Sequence, residues 1–142
     1  MIKIPFTSEY GYIPEYKTEG SVGADLKAGQ DYHFLPGTIN LIDTGIRISI
    51  PAGYEGQIRA RSGLAIEGFV VMNGVGCIDQ DFRGKVRVII GYFGKEEHIK
   101  INKGERIAQL IISPVVKGFF IIEDELDSTE RGERGFGSTG IN

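Results

Sequence analysis

The feature that most constrains this chain is how often its apolar runs are interrupted. The runs are short and rich in β-branched residues, and turn-forming residues cut each one before a helical period can build. The stretches 38–50 (TINLIDTGIRISI), 85–93 (KVRVIIGYF), 96–101 (EEHIKI), 105–116 (ERIAQLIISPVV) and 118–123 (GFFIIE) read as strands. Pro36-Gly37, Pro51-Ala52-Gly53, Asn73-Gly74, Gly94-Lys95 and Lys103-Gly104 mark the turns. No amphipathic segment of helical length alternates with these runs, which argues against a doubly wound α/β fold. The pattern fits an all-β antiparallel sandwich, barrel or jelly roll. One short helix is expected over 62–68, with Ser62 as its N-cap and Gly68 as its stop. Glycine supplies 21 of 142 residues, which suits tight turns or a backbone that approaches a ligand closely.

The length fits one domain. A net charge of −3 is a poor match for a general nucleic-acid coat, so no stable nucleic-acid binding is expected. Cys77 has no second cysteine to pair with and is expected to be a small buried residue. His33 and His98 are too far apart in sequence for a zinc spacing. No run approaches the length of a membrane span, and a soluble, cytoplasmic protein is expected. From Asp124 the apolar content falls away (EDELDSTERGERGFGSTGIN). The chain therefore divides into a β domain, 1–126, and a mobile C-terminal arm, 127–142.

Five segments combine Gly, Arg and carboxylate. Of eight Arg, five (Arg61, Arg83, Arg106, Arg131, Arg134) fall in or beside Gly-containing turns. Guanidinium groups beside free backbone N–H groups are what phosphate recognition needs, since both donate to phosphoryl oxygens. In SVGADLKA (21–28), strand alternation puts Asp25 on a different face from Ala24 and Leu26. It reads either as a turn or cap residue or as part of a metal's ligand shell. RSGLA (61–65) opens the short helix with free N–H groups. NGVGCIDQDFRGKV (73–86) reads as a hairpin, with Asp79 and Asp81 on one face of a strand. One of the two could be a general base, and an acidic turn is the plainer reading. In GERIAQLII (104–112), Gln109 is polar within an apolar strand. RGERGFGSTG (131–140) suits a segment that orders over a ligand, with Phe136 stacking on a planar group.

In this order and register the five segments resemble the five motifs of the trimeric dUTPase family, over about residues 21–140. The resemblance implies a distorted jelly-roll barrel, a homotrimer with sites shared between subunits, and Mg²⁺-dependent hydrolysis of dUTP to dUMP and pyrophosphate. That reaction limits uracil in DNA and supplies dUMP for thymidylate synthesis. By the same resemblance Asp79 activates the water that attacks the α-phosphorus. Asn73, Gly76, Ile78, Phe82 and Phe136 surround the uracil and deoxyribose, with Phe82 excluding a ribose 2′-OH. Arg61, Ser62, Gly63, Gln109, Arg131, Gly137 and Ser138 hold phosphate, and Asp25 lies near the metal through its waters. Magnesium gives up its waters reluctantly, so a cation carried on phosphate oxygens needs no dense set of protein ligands.

The chain departs from the family pattern at four places. Phe82 stands where Tyr is usual, Ala60 where Pro is usual, and Arg134 where Gly is common. The stretch between Arg61 and Asn73 is one residue shorter than in many members. Two alternatives remain at this level. A dCTP deaminase of the same superfamily needs a Glu on the strand after Gly84, and KVRVIIGYFG has no acidic residue. A catalytically weak, regulatory dNTP-binding trimer would keep the motifs without turnover.

Overall fold

The computed structural model describes residues 1–140. Among these the elements run β1 (Phe6–Ser8), β2 (Ala24–Lys27), β3 (Tyr32–Phe34), β4 (Ile39–Ile48), β5 (Tyr54–Arg59), α1 (Ser62–Ile66), β6 (Phe69–Val71), β7 (Gly76–Ile78), β8 (Lys85–Tyr92), β9 (Ile99–Ile101) and β10 (Arg106–Pro114). Two four-stranded sheets, β1-β4-β8-β6 and β2-β10-β5-β7, carry most of the chain, and β3-β9 forms a small third sheet. All pairings are antiparallel. Neighbouring strands are distant in sequence, as a jelly roll requires. The two large sheets remain separate ladders, which is the sense in which the barrel is distorted.

Alternation explains the core. On β8, Val86, Val88 and Ile90 point inward while Arg87 points out. They meet Ile42 and Ile46 of β4, and Leu26, Ile58, Ile78, Ala108 and Leu110 of the second sheet, in one apolar cluster. Each such side chain contributes roughly 1.5–3 kcal/mol by leaving water. Phe34 and Tyr92 pack on Phe69 at ring-centroid distances of 5.2 and 4.9 Å, closing one end of the cluster. Thr44 is fully buried and satisfied, because its hydroxyl donates to the Val86 carbonyl at 2.7 Å. The N-terminal arm is tied on by Lys85, which bridges Glu9 at 2.5 Å and Asp43 at 3.1 Å.

Four local expectations are corrected. Helix α1 ends at Ile66, and its N-cap is Arg61, with no side-chain cap bond, so Ser62 is the first helical residue. Segment 73–86 is not a hairpin: β6 pairs with β8 while β7 pairs with β5, so the chain crosses between sheets at Asn73–Val75. Asp79 and Asp81 lie beyond β7 in a turn closed by Phe82 N–H on Asp79 O at 3.2 Å, so strand periodicity does not align them. Cys77 is exposed, since Gly76 and Ile78 take the inward positions on β7 and alternation turns Cys77 out.

Segment 118–123 also differs from its strand reading. It joins no ladder, and Phe119, Phe120, Ile121 and Ile122 are exposed in the single chain. The composition is right for a strand, but the segment pairs with no strand of this chain. Among the described residues no helix is long and apolar enough to cross a membrane.

Candidate functional site

The first cleft, about 340 Å³, opens where β2, β10 and the start of α1 meet. Register builds it. Gln109 on β10 stands between Asp25 of β2 and Arg59 of β5, so strand pairing alone brings the first and fourth motif segments together. Asp25 is buried, and its two oxygens face different guanidinium groups: Arg61 Nε at 3.2 Å and Arg106 Nη1 at 3.0 Å. Arg61 also donates to the Arg106 carbonyl at 3.1 Å. These contacts fix two cations at the mouth and leave their remaining N–H groups for a ligand.

Ser62 and Gly63 complete the cleft. In the first turn of a helix the backbone N–H groups have no partner within the helix, so they are free to donate to an anion. Gln109 Nε2 donates to the Ala60 carbonyl at 3.0 Å, which ties β10 to the residue just before this turn. Gly23 makes room for that side chain: a Cβ there would lie 2.6 Å from Gln109 Oε1.

Asp79 lies elsewhere. It lines an open groove of about 630 Å³ with Tyr54, Glu55, Gln80, Asp81 and Lys117. Because Ile78 pairs with Gly56, Asp79 sits at the beginning of β5, whereas Arg61 follows its end. From Glu55 to Arg61 is six residues, so about 20 Å at the rise of a strand separates the two clusters.

Phe82 follows Asp79 on the same turn. Its ring packs over Gly84, where a Cβ would meet it at 2.5 Å, and it stays half-exposed. Arg83 folds back onto the carbonyls of Gln80 and Phe82 at 2.7 and 2.9 Å, and Arg47 holds the Arg83 carbonyl at 2.9 Å. Arg83 thus braces the turn and is not turned toward the first cleft. Gly76 and Ile78 are buried on β7, and exposed Asn73 has its Nδ2 3.2 Å from where a Gly76 Cβ would lie.

Arg131, Phe136, Gly137 and Ser138 are brought to neither cluster, and residues 114–140 are all exposed in the single chain. The segment is a series of turns, with Gly132 N–H on Thr129 O at 3.1 Å and Ser138 N–H on Gly135 O at 3.1 Å. Phe136 has φ of 50°, a conformation that costs a non-glycine residue about 1 kcal/mol or more. The last two positions of the 127–142 arm lie outside the described residues.

Sequence reasoning missed the partnership of Arg106 with Asp25. It noted Arg106 only as a turn cation. The available signal was spacing, since Arg106 precedes Gln109 by three residues on a strand that pairs with Asp25. Among the described residues no three His, Cys, Asp or Glu side chains converge on a metal position. The arrangement can bind a polyanion in the first cleft and offer an exposed carboxylate as a base in the second groove.

Known proteins resemble this chain over most of its length. The family model for dUTPase matches residues 9–140. The deoxyuridine 5'-triphosphate nucleotidohydrolase of Chlamydia pneumoniae is 49% identical over 134 residues, covering 92% of each chain. That of Anaeromyxobacter sp. (strain Fw109-5) is 44% identical over 129 residues, 90% of this chain and 87% of its own. Among solved structures, the dUTPase of Staphylococcus bacteriophage 80alpha with dUPNHPP has a TM-score of 0.87 at 28% identity, covering 99% of this chain and 100% of that one.

Proposed function

Since this chain belongs to the dUTPase family, we propose that it hydrolyses dUTP to dUMP and pyrophosphate in sites that three copies build together. The observation that carries the shared site is the division across β5. The candidate base and the phosphate-binding cluster occupy opposite ends of one strand, too far apart for one substrate. A neighbouring copy that presents its Asp79 end to this copy's Arg61 end removes the separation. Heterologous contacts of this kind close into a ring when the rotation between copies returns to the first.

In that site Arg61, the N–H groups of Ser62 and Gly63, and Gln109 hold the phosphates. Asp79 of the adjoining copy takes a proton from water as the water oxygen attacks the α-phosphorus. The bond from that phosphorus to the bridging oxygen breaks, and pyrophosphate leaves. Positioning and charge stabilisation carry most of such a reaction. Asn73, Gly76 and Ile78 bound the uracil pocket, and Phe82, braced on Gly84, closes the sugar side against a 2′-OH. From the arm, Phe136 covers the base while Arg131, Gly137 and Ser138 reach the phosphates. The arm's lack of packing in a single chain supports this reading.

The residues present fit Mg²⁺ carried by the substrate. Asp25 is already engaged by two guanidinium groups, yet a carboxylate has lone pairs to spare for a metal-bound water. When bound, the ion neutralises phosphate charge and orients the triphosphate. The deaminase alternative has no support here: β8, Lys85–Tyr92, carries no acidic residue.

The test is a mixing experiment. Asp79→Asn and Arg61→Ala chains should each be inactive alone, and random co-assembly should restore about one quarter of wild-type pyrophosphate release from dUTP, because one site in four receives both intact halves. Sites contained within one chain would give no recovery. Wild-type protein offered dUTP, dCTP, dTTP and UTP should release pyrophosphate from dUTP alone. Nucleotide binding with no product would instead favour the regulatory trimer.

A further inference from the structure

A second, larger opening adjoins the phosphate cleft. It encloses about 740 Å³ and is lined by five cations: Lys17, Lys27, Lys100, Arg61 and Arg106. Three of these, Lys17, Arg61 and Arg106, also line the first cleft, so the two spaces share a cationic wall. Among the described residues only two carboxylates face it, Glu67 and Glu105. Both Glu105 oxygens are taken by Asn102, through the backbone N–H at 3.0 Å and Nδ2 at 2.9 Å. A chain with a net charge of −3 thus concentrates positive charge in this one opening.

Lys27 is the unusual member. On the ladder between β2 and β10 it stands directly opposite Arg106. Like charges in that relation are destabilising. Arg106 has Asp25 as a partner, and Lys100 has Asp31 at 2.8 Å. Lys27 forms no ion pair among the described residues. The exposed acid Glu15 is held by Lys17 at 2.6 Å, whose hydrogen bond and charge keep its carboxyl below the ordinary value. Lys27 is instead steered by an aromatic face, with Nζ 5.4 Å from the Tyr12 ring centroid. A half-buried lysine that stands opposite an arginine on the ladder, with its ammonium over a ring, is arranged to receive an anion.

The position selects which anion. Lys27 lies two residues along β2 from Asp25, a step of about 7 Å. That is within reach of the far end of a triphosphate whose nearer phosphates are held by Arg61, Ser62 and Gln109. We propose that Lys27, with Arg106 opposite it, forms an outer anion subsite that takes the distal phosphate of a nucleoside triphosphate and the pyrophosphate released from it. The proposal rests on reading the first cleft as the triphosphate site.

Lys27→Met keeps the aliphatic contact with Tyr12 and removes the charge, and Lys27→Arg keeps the charge. With wild-type protein established as releasing pyrophosphate from dUTP, three quantities are compared in Mg²⁺ buffer: KM for dUTP, the inhibition constant for pyrophosphate, and the dissociation constant for dUMP. For Lys27→Met the first two should rise by about five- to tenfold together, with kcat within about twofold and dUMP binding unchanged. Lys27→Arg should restore most of the loss. The melting temperature of Lys27→Met should hold or rise, because a like-charge ladder pair is gone. Unchanged dUTP and pyrophosphate constants would overturn the subsite, as would an equal weakening of dUMP. Failure of wild-type protein to turn over dUTP would instead reject the underlying function.

Discussion

Gly63 separates a demand of the fold from a demand of the ligand. A Cβ at this position would meet nothing of the protein within 4 Å, and the backbone is not in the left-handed region. Glycine is therefore not needed for folding. Gly63→Ala should leave the melting temperature unchanged while lowering kcat/KM for dUTP by roughly tenfold or more, and equal activity would mean that no phosphate approaches this backbone. Phe82 is the reverse case, a ring placed by its neighbour Gly84. Phe82→Ala should let UTP compete better against dUTP, measured as the ratio of their kcat/KM values, and an unchanged ratio would reject the packing role. At this scale the sequence was informative about residue type and less so about partners. Asp25, Arg61 and Gln109 are legible because each is a polar residue where an apolar or turn residue would serve the fold. Arg106 is not, because its meaning lies in a contact across 81 residues of chain. Ser62 misled for a local reason: the extended φ and ψ of the cap belong to Arg61, and composition cannot reveal them.

At the scale of elements, β4 and β8 were read almost to their ends, since both alternate over many residues and each buries one face. The 73–86 segment was misread because periodicity identifies a strand without its partner. Three-residue strands such as β6 and β7 leave pairing to the tertiary structure. The Glu9–Lys85–Asp43 bridge shows what pairing adds, joining the end of β1 to β4 and β8. Burial works against the Asp43 charge, but the Gly45 N–H and Lys85 prevail and hold its carboxyl below the ordinary value. Lys85 is raised, by its bond to Glu9 first and to Asp43 second.

The two signs give opposite pH limbs. Stability from Asp43 is complete above the ordinary carboxylate range and is lost as pH falls through its lowered value. Stability from Lys85 is complete below the ordinary lysine value and is lost as pH rises through its raised one. Asp43→Asn should therefore flatten chiefly the acid fall in melting temperature and Lys85→Met chiefly the alkaline fall, each also weakening the other limb because each group shifts its partner. Equal slopes in parent and variant would show that the bridge carries no linkage.

At the scale of the whole molecule the arm is the clearest case. Its composition predicts a segment with no core of its own, and in the single chain exposure begins earlier, at Pro114, and runs through residue 140. What composition could not supply is where 118–123 packs, because it joins no ladder and is exposed in the single chain. Deleting 128–142 should leave the assembly and its melting temperature intact while dUTP hydrolysis falls severely. A truncated protein that unfolds would make the arm structural.

The separation of two half-sites along β5 also sets a rule about quantity. Under the proposed shared site, a lone chain would carry a base with nothing to act on and a phosphate cleft with no base. Newly made copies would then be silent until they meet. Below the concentration at which three copies hold together, the rate would fall with roughly the cube of chain concentration rather than in proportion to it. A cell making such a protein would cross from negligible to full turnover over a narrow range of expression, with the threshold set by subunit affinity.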